Sequence, residues 1–334
     1  MNRFSFTMAS MKPLDEACVC TAPPAAAQTN SGILLLDKPE GMTSFALTAK
    51  VKKLLRLKKV GHCGTLDPFA TGVMVLCLDQ ATRIADQLSL QDKLYQFTMR
   101  LGEETDTLDR TGQVVKTYDG PPVSGDDLVS ALDRFTGRVR QQVPRYAAVK
   151  VQGRRLYELT RKGVELIDLP AREVVIHELK LLSFQWPQAE LLVHCSKGTY
   201  VRQLAADIGT ALCCGAHVRE LRRLASGTFQ IAQACPLEEL QETADSNVWR
   251  SKLWSMSEAL GHLPAISIDD PHVVAGIHHG RLDPQWEFTH RQKLLNEPGP
   301  YRLLTEQNRL LALWWPDQRH NAGEAKRCLR VFAQ

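Results

Sequence analysis

No C-x-x-C pair occurs in this chain, although it carries nine cysteines among 334 residues. The common zinc spacings are therefore missing, and no metal is expected. The odd count, with Cys195 inside an apolar run, fits a reduced chain without a disulfide framework. No apolar run approaches the roughly 18 residues of a membrane span. Residues 1–31 lack the apolar stretch of a secretory signal, so a cytoplasmic protein without a membrane partner is expected. Neither G-x-G-x-x-G nor G-x-x-x-x-G-K-[ST] is present, which leaves nucleotide cofactors without support. Internal repeats are absent as well. The net charge of +4 permits a nucleic-acid partner without arguing for one.

What is present begins with a biased segment. Residues 1–31 scatter Ser and Thr around Pro23-Pro24-Ala25-Ala26-Ala27 and are expected to form a disordered tail, with Met8 or Met11 as alternative starts. Ile33-Leu34-Leu35-Leu36 predicts a short buried strand, and Lys38-Pro39-Glu40-Gly41 a turn. Thr43 or Ser44 can cap the next helix, whose apolar stripe is Leu47, Val51, Leu54 and Leu55. Lys50, Lys52, Lys53, Arg56, Lys58 and Lys59 decorate its other faces and its end, with no acid between them. Such a face is either merely solvated or phosphate-binding; the unmixed sign favours the second.

Further along, residues 72–78 read as a near-continuous apolar strand. Residues 95–101 read as a half-buried strand with Tyr95, Phe97, Met99 and Leu101 on one face. An acidic loop is expected over 103–109. Ser124 and Asp127 resemble a capping box for a helix that Gly137 stops. The pattern predicts a helix over 154–162 and strands over 172–184 and 190–195. Another helix is expected to open at Lys197-Gly198-Thr199, with Val201, Leu204, Ala205, Ile208 and Leu212 as its stripe. Residues 217–224 fit helix and strand equally. Beyond a boundary near 260–264, short strands are predicted at 303–304, 310–315 and 329–332, with a turn at Asn308. The fold class is α+β with a mixed sheet, not a doubly wound parallel one.

The chemistry concentrates in K-V-G-H-C-G-T-L-D-P-F-A-T-G, residues 59–72, where Asp67 is the one carboxylate. Pro68 biases Asp67 towards extended backbone, and the glycines permit tight turns and close approach. Such an Asp is either a turn residue bonding its own backbone or a catalytic carboxylate in a rigid frame. The second role wants a fixed cation to keep the carboxylate ionised. Arg202, one position off its helical stripe, is a candidate; the alternative is an edge residue that snorkels to water.

Five motifs follow one another. They are Asp37-Lys38-Pro39-x-Gly41-x-Thr43-Ser44, then Gly61-His62-x-Gly64-Thr65-Leu66-Asp67-Pro68-x-Ala70-Thr71-Gly72, then Thr105-Asp106-Thr107-x-Asp109. Ser196-Lys197-Gly198-Thr199-Tyr200-x-Arg202 and Gly215-Ala216-His217-Val218-x-x-Leu221-Arg222-Arg223 complete the set. In this order, over about residues 32–230, they resemble the TruB family of tRNA pseudouridine synthases. The end of the chain, with Arg330-Val331-Phe332, resembles the family's PUA-like RNA-binding domain more weakly.

The resemblance implies a pseudouridine synthase fold, a mixed and largely antiparallel sheet flanked by helices. It implies a catalytic domain over 32–262 and a small β-rich PUA-like domain over 263–334. The implied reaction converts uridine 55 of the tRNA T loop to pseudouridine, on a base flipped out of its stack and without a cofactor. Asp67 matches the nucleophile, with attack at ribose C1′ or uracil C6 left open. Arg202 matches the arginine that pairs with it. Tyr95 matches the tyrosine that stacks on the base and is implicated in removing the C5 proton. Leu221 matches the apolar lining of the uracil pocket, and Tyr200 and His62 match further substrate contacts. Lys50, Lys53, Lys58, Lys59 and Arg222 are expected RNA-backbone contacts. The implied partner is the tRNA T arm, and the implied state a monomer.

The chain departs from the pattern at Cys63, in place of Thr, at Val143, in place of Pro, and at Ala147, in place of Ser. The lost hydroxyl at Ala147 could cost a hydrogen bond of about 0.5–1.5 kcal/mol. Two other readings stand beside the family one. A tRNA-binding or folding protein acting without catalysis would use the same basic helix. A glycoside hydrolase would need a second carboxylate about 5–10 Å from Asp67, from Asp106 or Asp109.

Overall fold

The computed structural model describes residues 30–146, 150–151, 154–155, 169–293, 299–316 and 328–332. The expected tail, apart from residues 30 and 31, and Ala147 lie outside the described residues. So does most of the helix predicted over 154–162. Its first two residues, Arg154–Arg155, instead pair antiparallel with Lys150–Val151.

A ten-stranded sheet carries the fold. Its order is Cys235–Pro236, Gly32–Lys38, Thr71–Leu78, Ala216–Ser226, Lys93–Leu101, Gln188–Cys195, Ala171–Gln185 and Gly137–Gln142. Val60–His62 and Phe229–Gln230 pair off this path. Gly32–Lys38 with Cys235–Pro236, and Thr71–Leu78 with Ala216–Ser226, are parallel; the other pairs are antiparallel. This is the mixed, largely antiparallel α+β sheet that was expected.

The strand Lys93–Leu101 alternates buried and half-buried along its whole length, as its sequence does. Thr71–Leu78 is buried almost throughout because both its faces are covered. One face receives the helices Ser44–Leu54, Gly125–Asp133 and Val201–Ala211 through Leu47, Val51, Leu128, Leu132, Leu204 and Ile208. The other packs Ile33, Leu35, Val73 and Val75 with Leu260, Leu304, Leu313 and Phe332. Thr43 caps the first helix by accepting from the Ala46 N–H at 3.0 Å, and Ser124 caps its helix by accepting from the Asp127 N–H at 3.1 Å.

Several local expectations change. Lys38 is the last residue of its strand and fully buried, so the turn begins after it. Within the expected acidic loop, Glu103–Thr105 pairs antiparallel with Val114–Thr117. The helix expected to open at Lys197 opens at Val201. Before it, Gly198 has φ +84° and Thr199 Oγ1 donates to the Ser196 carbonyl at 2.9 Å, which makes a turn. Residues 217–224 belong to the strand Ala216–Ser226.

A second sheet, of four strands, orders Ala265–Ile268, Tyr301–Thr305, Leu310–Trp314 and Leu329–Val331, with Asn308 left-handed at φ 59° in its turn. Helices Pro271–His278 and Pro284–Lys293 lie between its first two strands, where none was expected. The first carries only a short stripe, Val273 and Ile277 with Val274 beside them, and the second buries no residue, so periodicity gives little signal for either.

Candidate active site

The Asp67 loop is fastened by groups from three other segments. Ser44 Oγ donates to the Leu66 carbonyl at 3.0 Å and accepts from the Leu66 N–H at 2.8 Å. Lys38 Nζ donates to the carbonyls of Pro39, Pro68 and Ala70 at 2.9, 3.2 and 2.7 Å. Burial lowers the Lys38 pKa to about 8, while Asp67 and Glu40 pull it back up. Gly72 has φ +109°, and a Cβ there would lie 2.2 Å from the Arg223 carbonyl, so only glycine lets the loop join its parallel neighbour.

Arg202 reaches this loop across 135 residues. Its Nε lies 2.9 Å from Asp67 Oδ2 and its Nη2 3.1 Å from Oδ1, a two-point pairing. The helix Val201–Ala211 turns Arg202 inward, and its side chain is 5% exposed against 32% for Asp67. The guanidinium is fully occupied elsewhere. It donates to the carbonyls of Thr107 at 2.9 Å and Tyr146 at 3.1 Å, and meets Asp109 Oδ2 at 3.4 Å. Asp109 Oδ1 accepts in turn from Thr107 Oγ1 at 2.9 Å, and from the Thr111 N–H at 2.9 Å and hydroxyl at 2.5 Å. The snorkelling alternative for Arg202 does not hold.

Burial pushes the Asp67 carboxyl above the ordinary carboxylate value, and nearby Asp109 adds to this. Arg202 and Lys38 oppose the rise without cancelling it. Activity that needs the Asp67 carboxylate should therefore fall as pH drops through a midpoint above 3.8. The acid limb of kcat/KM measures this, and a midpoint at or below 3.8 contradicts it.

Asp67 opens onto a cavity of about 360 Å³ lined also by Tyr95, Tyr146, Tyr200, Leu221 and Arg223. That volume lies within the ~300–1,000 Å³ of small-molecule sites. Tyr95 stands on Lys93–Leu101, opposite Arg223 in the register with Ala216–Ser226. Two register shifts flank that stretch of Ala216–Ser226, after Val218 and after Arg223. Leu221 and Arg223 are both buried, and Arg223 Nε donates to the Val73 carbonyl at 2.8 Å. Tyr200 immediately precedes the Arg202 helix. Its N–H donates to Gln141 Oε1 at 2.7 Å, its carbonyl accepts from Gln141 Nε2 at 3.0 Å, and Arg172 lies over its ring at 5.2 Å. Burial pushes both tyrosine hydroxyls up, so both are neutral phenols near pH 7.

His62 does not line the cavity. Its Nδ1 sits 3.3 Å from Thr48 Oγ1 and its Nε2 3.3 Å from Thr65 Oγ1, beside the loop. Burial and then Arg223 lower its pKa, which keeps the ring neutral. Cys63 is fully buried with its Sγ 3.3 Å from Cys77 Sγ, so it is a packing residue under the loop. Lys50, Lys53, Lys58 and Lys59 are exposed. Arg222 is engaged by Asp37, with contacts of 2.6 and 3.1 Å. Asp109 shares Arg202 with Asp67 but does not line the cavity, so among the described residues that line it Asp67 is the one carboxylate, and the glycoside-hydrolase alternative has no second acid facing the same space. No group of His, Cys, Asp or Glu among the described residues is placed to hold a metal. Sequence reasoning missed Lys38, Lys93 and Arg223 as site residues, and set Asp109 aside. Lys38 and Arg223 lie inside two of the five motifs, and their full burial was the missing signal.

Residues 52–201 match the TruB family pseudouridylate synthase N-terminal domain, and residues 202–260 match the tRNA pseudouridylate synthase B C-terminal domain. The chain belongs to the TruB family of pseudouridylate synthases. A TruB relative from Syntrophobacter fumaroxidans, named tRNA pseudouridine synthase B, is 54% identical over 302 residues, 90% of this chain and 97% of its own. One of the same name from Bordetella pertussis is 46% identical over 237 residues, 70% of this chain and 96% of its own. A chain of a crystallised Cbf5-Nop10-Gar1 complex is 25% identical, with a TM-score of 0.67 over 91% of this TruB chain and 84% of its own. No helix among the described residues is long and apolar enough to cross a membrane.

Proposed function

We propose that this chain converts uridine 55 of the tRNA T loop to pseudouridine, with Asp67 as nucleophile. The observation that carries the reading is a single carboxylate, held at two points by Arg202, that shares a cavity of about 360 Å³ with Tyr95. Pseudouridine synthesis is an isomerisation, so it needs one nucleophile and no co-substrate. The N1–C1′ bond breaks, the base turns, and a C1′–C5 bond forms. The C5 proton leaves and N1 gains one, so atoms and charge balance.

Each residue has work in that sequence. Asp67 forms and releases the covalent link, and Arg202 fixes the direction of its lone pairs. Tyr95 offers an aromatic face to the flipped base and a neutral hydroxyl towards the C5 proton. Leu221 supplies apolar surface, and Tyr200, braced by Gln141 and Arg172, closes the other side. His62 stands outside the cavity, where it can fill the space a flipped base vacates. In this reading residues 32–262 form the catalytic domain and residues 263–334 a PUA-like RNA-binding domain. The partner is the T arm, the enzyme acts as a monomer, and the location is the cytoplasm. A tRNA-binding role without catalysis would need none of the Asp67–Arg202–Asp109 arrangement.

The test is tritium release from C5-tritiated uridine in a T-arm stem-loop. One equivalent is expected per target uridine, with none from a stem-loop carrying cytidine at that position. A wild-type chain that releases no tritium overturns the proposal.

A further inference from the structure

The helix Ser44–Leu54 leaves one large apolar side chain in water: Phe45 is 76% exposed. A single exposed apolar side chain is ordinary on a protein surface, so Phe45 points to a ligand only through what lies beside it.

Two residues of this helix face the catalytic loop. Ser44 is bonded to Leu66, and Thr48 Oγ1 lies 3.3 Å from His62 Nδ1. At about 100° per residue, the next positions round the helix from Thr48 are Lys52 and Phe45, then Ala49 and Lys53. All four are exposed. The strip therefore borders the Thr48–His62 contact, while Leu47 and Val51 hold the opposite side in the core. The helix contains no acid. None of Lys50, Lys52 and Lys53 forms an ion pair among the described residues.

An aromatic face with lysines beside it is the combination that binds unpaired nucleotides. The ring stacks a base and the ammonium groups hold its phosphates. A protein partner would want further apolar surface here, and the strip offers only cations and Ala49. We infer that Phe45 stacks on an unpaired base adjoining the flipped uridine, and that Lys52 and Lys53 hold the phosphates of the same stretch. This rests on the function proposed above. It adds a contact outside the cavity that secures the loop strand once the target base has left its stack.

The experiment uses the full chain and a T-arm stem-loop, reading kcat, KM and Kd. Phe45→Ala is expected to raise KM and Kd by roughly 5- to 150-fold, the worth of one base–aromatic stack. Its kcat should stay within about twofold, since the reacting groups are untouched. Phe45→Trp should bind as wild type does, and Phe45→Leu, which keeps apolar bulk but loses the ring, should behave like Phe45→Ala. Lys52→Ala and Lys53→Ala should each lower the salt slope of binding by about one. Phe45 is exposed, so the variants should keep the wild-type unfolding transition. Phe45→Ala with wild-type KM and Kd, or full rescue by Phe45→Leu, overturns the inference. A wild-type chain that binds the stem-loop without isomerising it overturns the proposed function but leaves the stack measurable through Kd.

Discussion

Asp67→Asn should abolish tritium release, lowering kcat by at least about 10⁴-fold, while affinity for a T-arm stem-loop stays within a few-fold. The amide has nearly the shape of the carboxylate but no charge to form the covalent link. It can still accept one hydrogen bond from Arg202, so the guanidinium keeps that contact along with the Thr107 and Tyr146 carbonyls and Asp109. Apart from the Arg202 pairing, the loop frame does not use the Asp67 side chain. Its fastenings run through Ser44, Lys38 and the backbone of Leu66, Pro68 and Ala70. Binding and chemistry should therefore separate at this one position. Single-turnover isomerisation and filter binding measure the two. Residual turnover within tenfold of wild type would sink Asp67 as the nucleophile; lost binding would show that its charge also holds the RNA.

Much of this site was legible because local patterns and local environments agree. The alternation of residues 95–101 assigned Tyr95 its face, and that face is the buried one. Asp67 was harder. Its Gly and Pro neighbours describe a stiff turn, which serves a structural Asp as well as a catalytic one. Only the order of five motifs separated the two. Arg202 shows why spacing runs out: a buried guanidinium is tolerable only with partners, and its partners lie at Asp67 and Asp109, far away in sequence. Asp109 sat in an acid-rich stretch that reads as a structural network, and its carboxylate is indeed buried among Thr107, Thr111 and Arg202; what spacing could not show is that this network reaches Asp67. Arg223 was hidden by a register shift, which takes a strand out of simple alternation. Lys38 was read as part of a turn because Pro-x-Gly follows it. Phe45 had no periodic partner and entered no motif, so only its exposure exposes its role.

Removing Arg202 should injure the fold as well as the chemistry, and the pH dependence of the injury identifies its cause. Arg202→Met keeps much of the length and apolar stem but deletes the guanidinium. Asp67 and Asp109 are then left in one site without the cation between them. The cost should be about 3–5 kcal/mol at pH 7, the usual penalty for breaking a buried pair. The Asp67 carboxyl, already raised by burial, should then titrate higher still in the folded variant than in the unfolded chain. A group raised on folding favours the folded state below its unfolded pKa and disfavours it as pH rises through the folded value. The deficit of Arg202→Met against wild type should thus shrink from pH 7 to pH 4.5. A packing defect would be flat over that range. Arg202→Lys should keep most of the stability yet lose turnover, because an ammonium cannot grip both oxygens of Asp67 in one plane. Adding Asp109→Asn to Arg202→Met should recover part of the stability and none of the activity. Urea unfolding of the four proteins at both pH values reads all of these together. A pH-independent deficit, or no recovery in the double variant, would mean that Arg202 holds the helix Val201–Ala211 by packing, and that the Asp67–Arg202–Asp109 charges are not what ties it to the loop.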